Sequence, residues 1–394
     1  MNIVYVYNRE WPSKIPGINF CTFTGYGLSQ VSLDVNVNLI VKGSREEKYQ
    51  KSYKEILREY FSLDSVPNFE LEPIGNKLNG KLTNTRFYWI AVNKILKLNN
   101  VKDVDIIITR NTNFLPYLFL VKKLTGAKVF FEAHHYNLDN YFREKKIYKI
   151  NKKKYLLQKI FLPKIDGIIC LQYIQKELYE RSIPEQRYCL ARTGLKSVHK
   201  DNQPWNNNYI GYVGSLHKSK GVQELLYAFQ YLKNTDLELL IVGGKKEKEI
   251  EKMKELAFKL GISHKVIITG WVNRSRLEKY LEQIKIGIVP AEDNFYNRYI
   301  TSPVKIFDYS SYGIPTIGSD LPTIREIVTD KGGLFYKKGD TTSLAKSIKT
   351  LNSSKELYDS YSKFIKKRAE ELTWENRGKK LISFFEEVVQ SSTK

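Results

Sequence analysis

The chain has 394 residues, 42% of them hydrophobic, and a formal net charge of +22, a length beyond what one hydrophobic core usually supports and so a prediction of two domains. No stretch approaches the roughly 18 apolar residues of a membrane-spanning helix, and Cys21, Cys170 and Cys189 are too few and too scattered for a disulfide framework or a zinc site. The charge predicts an anionic partner: nucleic acid, an acidic lipid surface or a phosphorylated substrate.

The opening MNIVYVYNREWPSK has no basic region followed by an apolar one, and it reads as a cytosolic chain. Short apolar or β-branched runs then alternate with amphipathic stretches, the pattern of parallel sheets covered by helices. The first half predicts strands over residues 3–7, 35–41, 106–109, 128–131 and 167–171. Asp103 and Asp105 have a D-x-D spacing, but they precede a strand instead of following one, so they read as solvated charge. Over residues 143–164 the run REKKIYKINKKKYLLQKIFLPK interleaves apolar residues with lysines. As a helix it either packs its apolar stripe on its own domain or lays that stripe on an anionic membrane surface. Nucleic acid is the rival partner, yet no DNA- or RNA-binding motif accompanies the charge. Residues 196–208, KSVHKDNQPWNNN, show neither helical nor strand period and read as a linker. Beyond it, strands are predicted over 209–213, 238–242, 266–269, 286–289, 316–318 and 333–336, followed by two helices over 354–390 with Trp374 between them.

Two segments of the second half carry chemistry. In YIGYVGSLHKSKGVQELL, residues 209–226, a strand ends before Gly214, which permits a tight turn, and a helix begins after Gly221. Free amides and the positive helix end then face one crevice, where Lys220 adds a full charge and an anionic phosphate fits. Alone, this is equally an ordinary strand-to-helix turn with a solvated lysine. The second segment, TSPVKIFDYSSYGIPTIGSDLP over residues 301–322, puts Ser302 and Pro303 at a helix start, a second set of unbonded amides. Asp308 follows within that helix as an acceptor for a ribose diol, while Gly313 and Pro315 end the helix.

In order and spacing, GYVGSLHKSKG, LELLIVGG, VIITGWV, IGIVP, SPVKIFDYSSYGIPTIGSD and IREIV resemble the large retaining glycosyltransferase family four. FEAHH and DGIICL in the first half match it more loosely. The resemblance implies an α/β, GT-B fold of two facing Rossmann-like domains. The first, on the acceptor side, covers residues 1–195 and is completed by a returning C-terminal helix over 375–394; the donor-binding second covers 196–374. It further implies that Gly214, Ser215 and Lys220 hold the diphosphate, that Gly270 and Val272 meet the nucleobase, and that Asp308 binds the ribose. Ser302, Pro303, Val304 and Lys305 contact the phosphates, and His134 lies beside the transferred sugar, with His134 and Lys220 as the catalytic pair.

The implied reaction is retaining transfer from a nucleotide-sugar, a UDP-sugar ahead of GDP-mannose, to a glycan, polysaccharide or lipid-linked acceptor. No metal or other cofactor is expected, since amides and lysine at the leaving diphosphate stabilise its developing charge. The chain departs from the family pattern at two places. Ile300 stands where the family has the first Glu of a pair, leaving Glu292 or Asp293 as substitutes, and Ser215 stands where an arginine is common, leaving Lys218 or Lys305 to help Lys220. A nucleotide-sugar epimerase or phosphorylase and a non-catalytic binder are the alternatives on the same fold.

Overall fold

Parallel strands covered on both faces by helices leave no side chain to water, so they must be apolar throughout. Residues 106–108 and 286–289 meet that demand, every one of them buried. The structure, a computed structural model, describes residues 1–13, 15–44, 52–75, 82–138, 151–199 and 202–391. It divides into two units, Met1–Gly194 with Trp374–Lys394, and Leu195–Thr373.

In the first unit the described residues form a seven-stranded sheet, β1 (Asn2–Trp11), β2 (Asn36–Gly43), β3 (Phe69–Ile74), β4 (Ile106–Thr109), β5 (Lys128–Glu132), β6 (Gly167–Cys170) and β7 (Tyr188–Leu190). Its order is β3-β2-β1-β4-β5-β6-β7, and the described pairings are parallel. The direction of strand succession reverses between β1 and β4, so a crevice opens at the carboxyl ends of those strands. Two of the seven strands, β3 and β7, were not among the strands expected. The Trp374–Gln390 helix joins this unit and puts Leu381, Phe385 and Val388 into the core with Ile3, Ile106 and Phe130.

The second unit has a six-stranded sheet among the described residues, β8 (Tyr209–Val213), β9 (Glu238–Val242), β10 (Val266–Ile268), β11 (Ile284–Val289), β12 (Thr316–Ser319) and β13 (Gly333–Tyr336). Its order β10-β9-β8-β11-β12-β13 reverses between β8 and β11. The expected strands coincide with these six to within two residues at either end. Of the segment read as a linker, the described residues are pinned to this unit. His199 donates its backbone N–H to the Ser311 carbonyl at 2.7 Å and stacks its ring on Tyr312 at 3.9 Å. Asn202 donates to the Tyr312 carbonyl at 2.8 Å, and Trp205 lies under the Lys285 ammonium at 3.9 Å.

Asp105 has a structural task. Its Oδ2 accepts from the Asn2 backbone N–H at 2.7 Å, which anchors the start of β1 beside β4. Of the lysine-rich run, residues 143–150 lie outside the described residues, and Lys152–Phe161 is a helix capped by Asn151.

Candidate functional site

The crevice of the second unit is assembled from three glycine turns at the carboxyl ends of β8, β9 and β10. Gly214 donates its N–H to the Val242 carbonyl at 2.9 Å, and Gly243 pairs with Gly270 in an isolated bridge. Gly214 and Gly243 have φ of 139° and 136°, and a Cβ on Gly243 would fall 2.0 Å from the Gly214 carbonyl oxygen. Only glycine lets the two turns approach this closely. After Gly214 the chain makes one turn of 3-10 helix, Lys218–Lys220, whose start is capped by the His217 ring accepting from Ser219 N–H at 3.2 Å.

Across β8 the Val304–Ser311 helix begins, with Pro303 as its N-cap, one residue later than a proline in the first turn would have it. Ile306, Phe307 and Tyr309 are buried and fix the helix against the sheet. That leaves Lys305 on the side of the Gly214 turn. Its Nζ lies 3.8 Å from the centroid of the Tyr212 ring, and 3.4 Å from where a Cβ on Gly214 would stand.

Neither Lys305 nor Lys220 has an ion-pair partner among the described residues. Burial pushes the Lys305 ammonium well below its ordinary pKa, the Lys220 charge pushes it further, and Asp308 opposes both. Burial lowers Lys220 as well. Two half-buried cations held together without a counter-ion disfavour their own charged forms, and an anion between them relieves both penalties. Such a place suits a pyrophosphate.

The remaining expected residues fall around this point with some differences. Asp308 is not a free carboxylate: its Oδ1 accepts from Arg274 Nη1 at 2.6 Å, and Arg274 Nε donates to Glu278 at 3.0 Å. Arg274 comes from the helix that Asn273 caps immediately after Gly270 and Val272, and no sequence motif marks it. A ribose bound here meets an acceptor already oriented by that arginine. Val304 is exposed at the helix start, Ser302 is half-buried, and Ser215 is exposed, its carbonyl taking the Tyr212 hydroxyl at 2.7 Å.

Ile300 lies in the core at 1% exposure and binds nothing polar. Of its two candidate substitutes, Asp293 is clasped by Arg298, with Nε to Oδ1 at 2.9 Å. Glu292 stays close to the lysine turn: its backbone N–H donates to the Ser219 carbonyl at 3.3 Å, and Asn297 Nδ2 ties both carbonyls together at 3.1 and 2.8 Å. One of its carboxylate oxygens pairs with Lys338 at 2.9 Å.

In the first unit His134 follows β5 and is embedded in a buried cluster. Its Nε2 donates to Glu132 Oε2 at 3.1 Å, and its ring meets Phe20 edge-on at 4.9 Å. Glu132 is fully buried and also accepts from the Tyr5 hydroxyl and from Arg377. Arg110 caps the far side, donating to the Gly17 carbonyl at 2.9 Å and lying 4.8 Å from the Tyr7 ring. Burial, reinforced by Arg110, lowers the His134 pKa to about 3 despite the Glu132 hydrogen bond, so its imidazole is neutral. Burial raises Glu132, but the His134 hydrogen bond and Arg377 outweigh it and hold the carboxyl at about 2. His134 alone of this cluster was expected; Glu132, Arg110 and Arg377 were not. Among the described residues no group of three or more His, Cys, Asp or Glu side chains is placed to hold a metal ion.

Known proteins share this fold. Residues 196–368 match the family described as glycosyl transferases group 1. The α-monoglucosyldiacylglycerol synthase of Streptococcus pneumoniae is 22% identical over 329 residues, 78% of this chain and 72% of that one. An uncharacterized glycosyltransferase of Methanocaldococcus jannaschii is 22% identical over 190 residues, so the match spans 45% of this chain and less than half, 44%, of that protein. Among solved structures, sucrose-phosphate synthase from Thermosynechococcus elongatus superposes with a TM-score of 0.74 at 15% identity, over 99% of both chains. The Anabaena protein Alr3699/HepE, in complex with UDP and glucose, does so with a TM-score of 0.68 at 13% identity, over 98% of this chain and 99% of that one. The chain therefore has the GT-B fold, built from two Rossmann-like units with parallel sheets. Its residues 196–368 are similar to the glycosyl transferases group 1 family, and the curated relatives it matches include glycosyltransferases.

Proposed function

We propose that the protein is a retaining glycosyltransferase that moves a sugar from a nucleotide-sugar, with UDP-sugar the first choice and GDP-mannose the second, to a glycan, polysaccharide or lipid-linked acceptor. The observation that carries this reading is Lys305 standing over the Gly214 turn, close enough to Lys220 to feel its charge, with neither lysine holding a counter-ion among the described residues. The UDP bound by the Anabaena neighbour supports the choice of base.

When the bond from the anomeric carbon to the diphosphate breaks, negative charge collects on the leaving phosphate, and fixed cations and amides already in place stabilise that state more than the ground state. In this reading the two lysines and the amides at the start of the Val304–Ser311 helix supply that charge without a metal. Asp308 takes the ribose, Gly270 and Val272 flank the base, and Glu292 replaces the missing Glu at Ile300 for the donor sugar. His134 offers the sugar a neutral imidazole. The acceptor hydroxyl attacks on the face the diphosphate leaves, which keeps the anomeric configuration.

Calorimetric titration with UDP, GDP and ADP tests the proposal. One of the three binds, and Lys220→Ala and Lys305→Ala each weaken it by about tenfold or more, since a charge-assisted hydrogen bond is worth about 1.5–3 kcal/mol. Affinity for none of them, or affinity unchanged in the double variant, refutes the reading. Donor conversion that proceeds without any acceptor marks an epimerase instead.

A further inference from the structure

Three neighbouring helices of the first unit hold no acidic residue, in a chain with 42 of them: Asn84–Val101, Leu115–Thr125 and Lys152–Phe161. Every charge they carry is positive. Aromatic contacts show that they lie side by side. Trp89 of the first meets Tyr117 of the second at 5.2 Å, and Phe119 of the second meets Phe161 of the third at 6.0 Å.

On the outer side of these helices large apolar side chains face water: Trp89 at 51% exposure, Leu124 at 62%, Leu156 at 54% and Ile160 at 46%. The usual fate of an amphipathic helix, burial of its apolar stripe on its own domain, does not account for them. In the Lys152–Phe161 helix the one buried side chain is the polar Gln158, which accepts from the Asn137 backbone N–H at 3.0 Å. The polar Gln158 therefore faces in, while Leu156 and Ile160 face out. Lysines are interleaved with them: Lys123 and Lys164 sit 4.8 and 5.4 Å from the Phe119 ring, and Lys152, Lys153 and Lys159 are exposed. Two cations nearby are already spent within the fold, Lys122 on Asp166 at 2.9 Å and Lys94 on Glu72.

We propose that this three-helix face docks on the surface of a bilayer containing anionic lipid. Lysines close to a negatively charged headgroup layer are attracted to it, and exposed leucine, isoleucine and tryptophan side chains gain by entering the interfacial region. A nucleic acid would use the lysines but leaves the aliphatic side chains without a partner. The proposal is independent of the sugar-transfer reading and stands or falls without it.

The test is co-sedimentation of the full chain with vesicles of phosphatidylcholine, with and without phosphatidylglycerol. The expected result is binding at least about tenfold stronger to the anionic vesicles, reduced about tenfold by Leu156→Asp with Ile160→Asp and also by Lys123→Glu with Lys159→Glu. All four positions are exposed, and an unchanged unfolding temperature shows that the variants fold. No preference for anionic vesicles overturns the proposal. So does binding that ignores the Leu156 and Ile160 changes, or a DNA duplex bound more tightly than the vesicles, since charge alone then explains the face.

Discussion

Glu132 is a buried carboxylate that three groups compete to compensate: the Tyr5 hydroxyl, the His134 imidazole and the Arg377 guanidinium. Its titration and that of His134 act on stability with one sign. His134 ordinarily titrates at 6.5, but burial and Arg110 depress it to about 3 in the folded state. The unfolded chain therefore binds a proton below pH 6.5 that the folded chain refuses, so stability is full above that pH and erodes as pH falls toward 3. Glu132, depressed from 4.5 to about 2, adds a further loss across that lower range. His135, lowered to about 4 by burial and Lys154, acts with His134. Between pH 6 and 5 the neutral His134 costs about 1.4 kcal/mol per pH unit, while solvent around the exposed His135 screens its share. Calorimetric unfolding temperatures should fall over that interval, and His134→Gln should flatten the fall; a temperature that holds constant from pH 7 to 5 contradicts the buried neutral imidazole. His134 was legible in the sequence because FEAHH follows a strand and resembles a known pattern. Its partner Arg377 was not, because 245 residues separate it from Glu132 and no local period links a C-terminal helix to a strand end. Arg274 escaped for the same reason: its acceptor Asp308 is 34 residues on and reaches it only through tertiary packing.

At the scale of elements, the site depends on how closely the turns after β8 and β9 approach. Gly243 has no room for a side chain, since its φ is 136° and an added Cβ would lie 2.0 Å from the Gly214 carbonyl oxygen. Gly243→Ala must push the Gly214 turn away from Lys305 or distort β9. Strain of this kind costs about 1–3 kcal/mol, and displacement of the turn should weaken UDP binding by about tenfold. Titration calorimetry with a parallel thermal melt checks this, and wild-type affinity in a folded variant would mean the turn does not form the anion seat. The strands leading into these turns were easy to read because a parallel strand buried on both faces is an apolar run, as in residues 106–108. β3 was missed because it reads FELEPI, alternating exposed Glu70 with buried Leu71 and ending near Pro73, the composition of an edge strand. β7 has three residues, too few for any period to show. The Lys220 turn and the helix after Pro303 were legible as glycine, lysine and proline punctuation, but the distance between them was not, since it is set by β8 and β11 lying side by side.

At the scale of the whole molecule, the first unit is not continuous in sequence: it is finished by a helix that follows the entire second unit. Glycines let that helix dock. Where the Pro16–Ser29 and Trp374–Gln390 helices cross, a Cβ on Gly27 would fall 2.3 Å from the Trp374 carbonyl oxygen, and one on Gly378 would fall 2.3 Å from that of Gly27. Phe385 then packs on Phe130 at 4.5 Å between ring centroids, and Leu381 and Val388 are fully buried beside it. Each fully buried side chain of this kind is worth about 1.5–3 kcal/mol, and a domain's net stability is only about 5–15 kcal/mol. Ending the chain after Thr373 would remove these side chains together and also strip Arg377 from Glu132, leaving a buried carboxylate with less compensation. The second unit loses nothing from its own core by that change. Scanning calorimetry of the truncated chain should therefore show the first unit's transition lost, while a second transition survives and still rises when UDP is added. Loss of both transitions together would show that the second unit cannot stand without the first, and survival of both would show that the helix is dispensable to the core it enters.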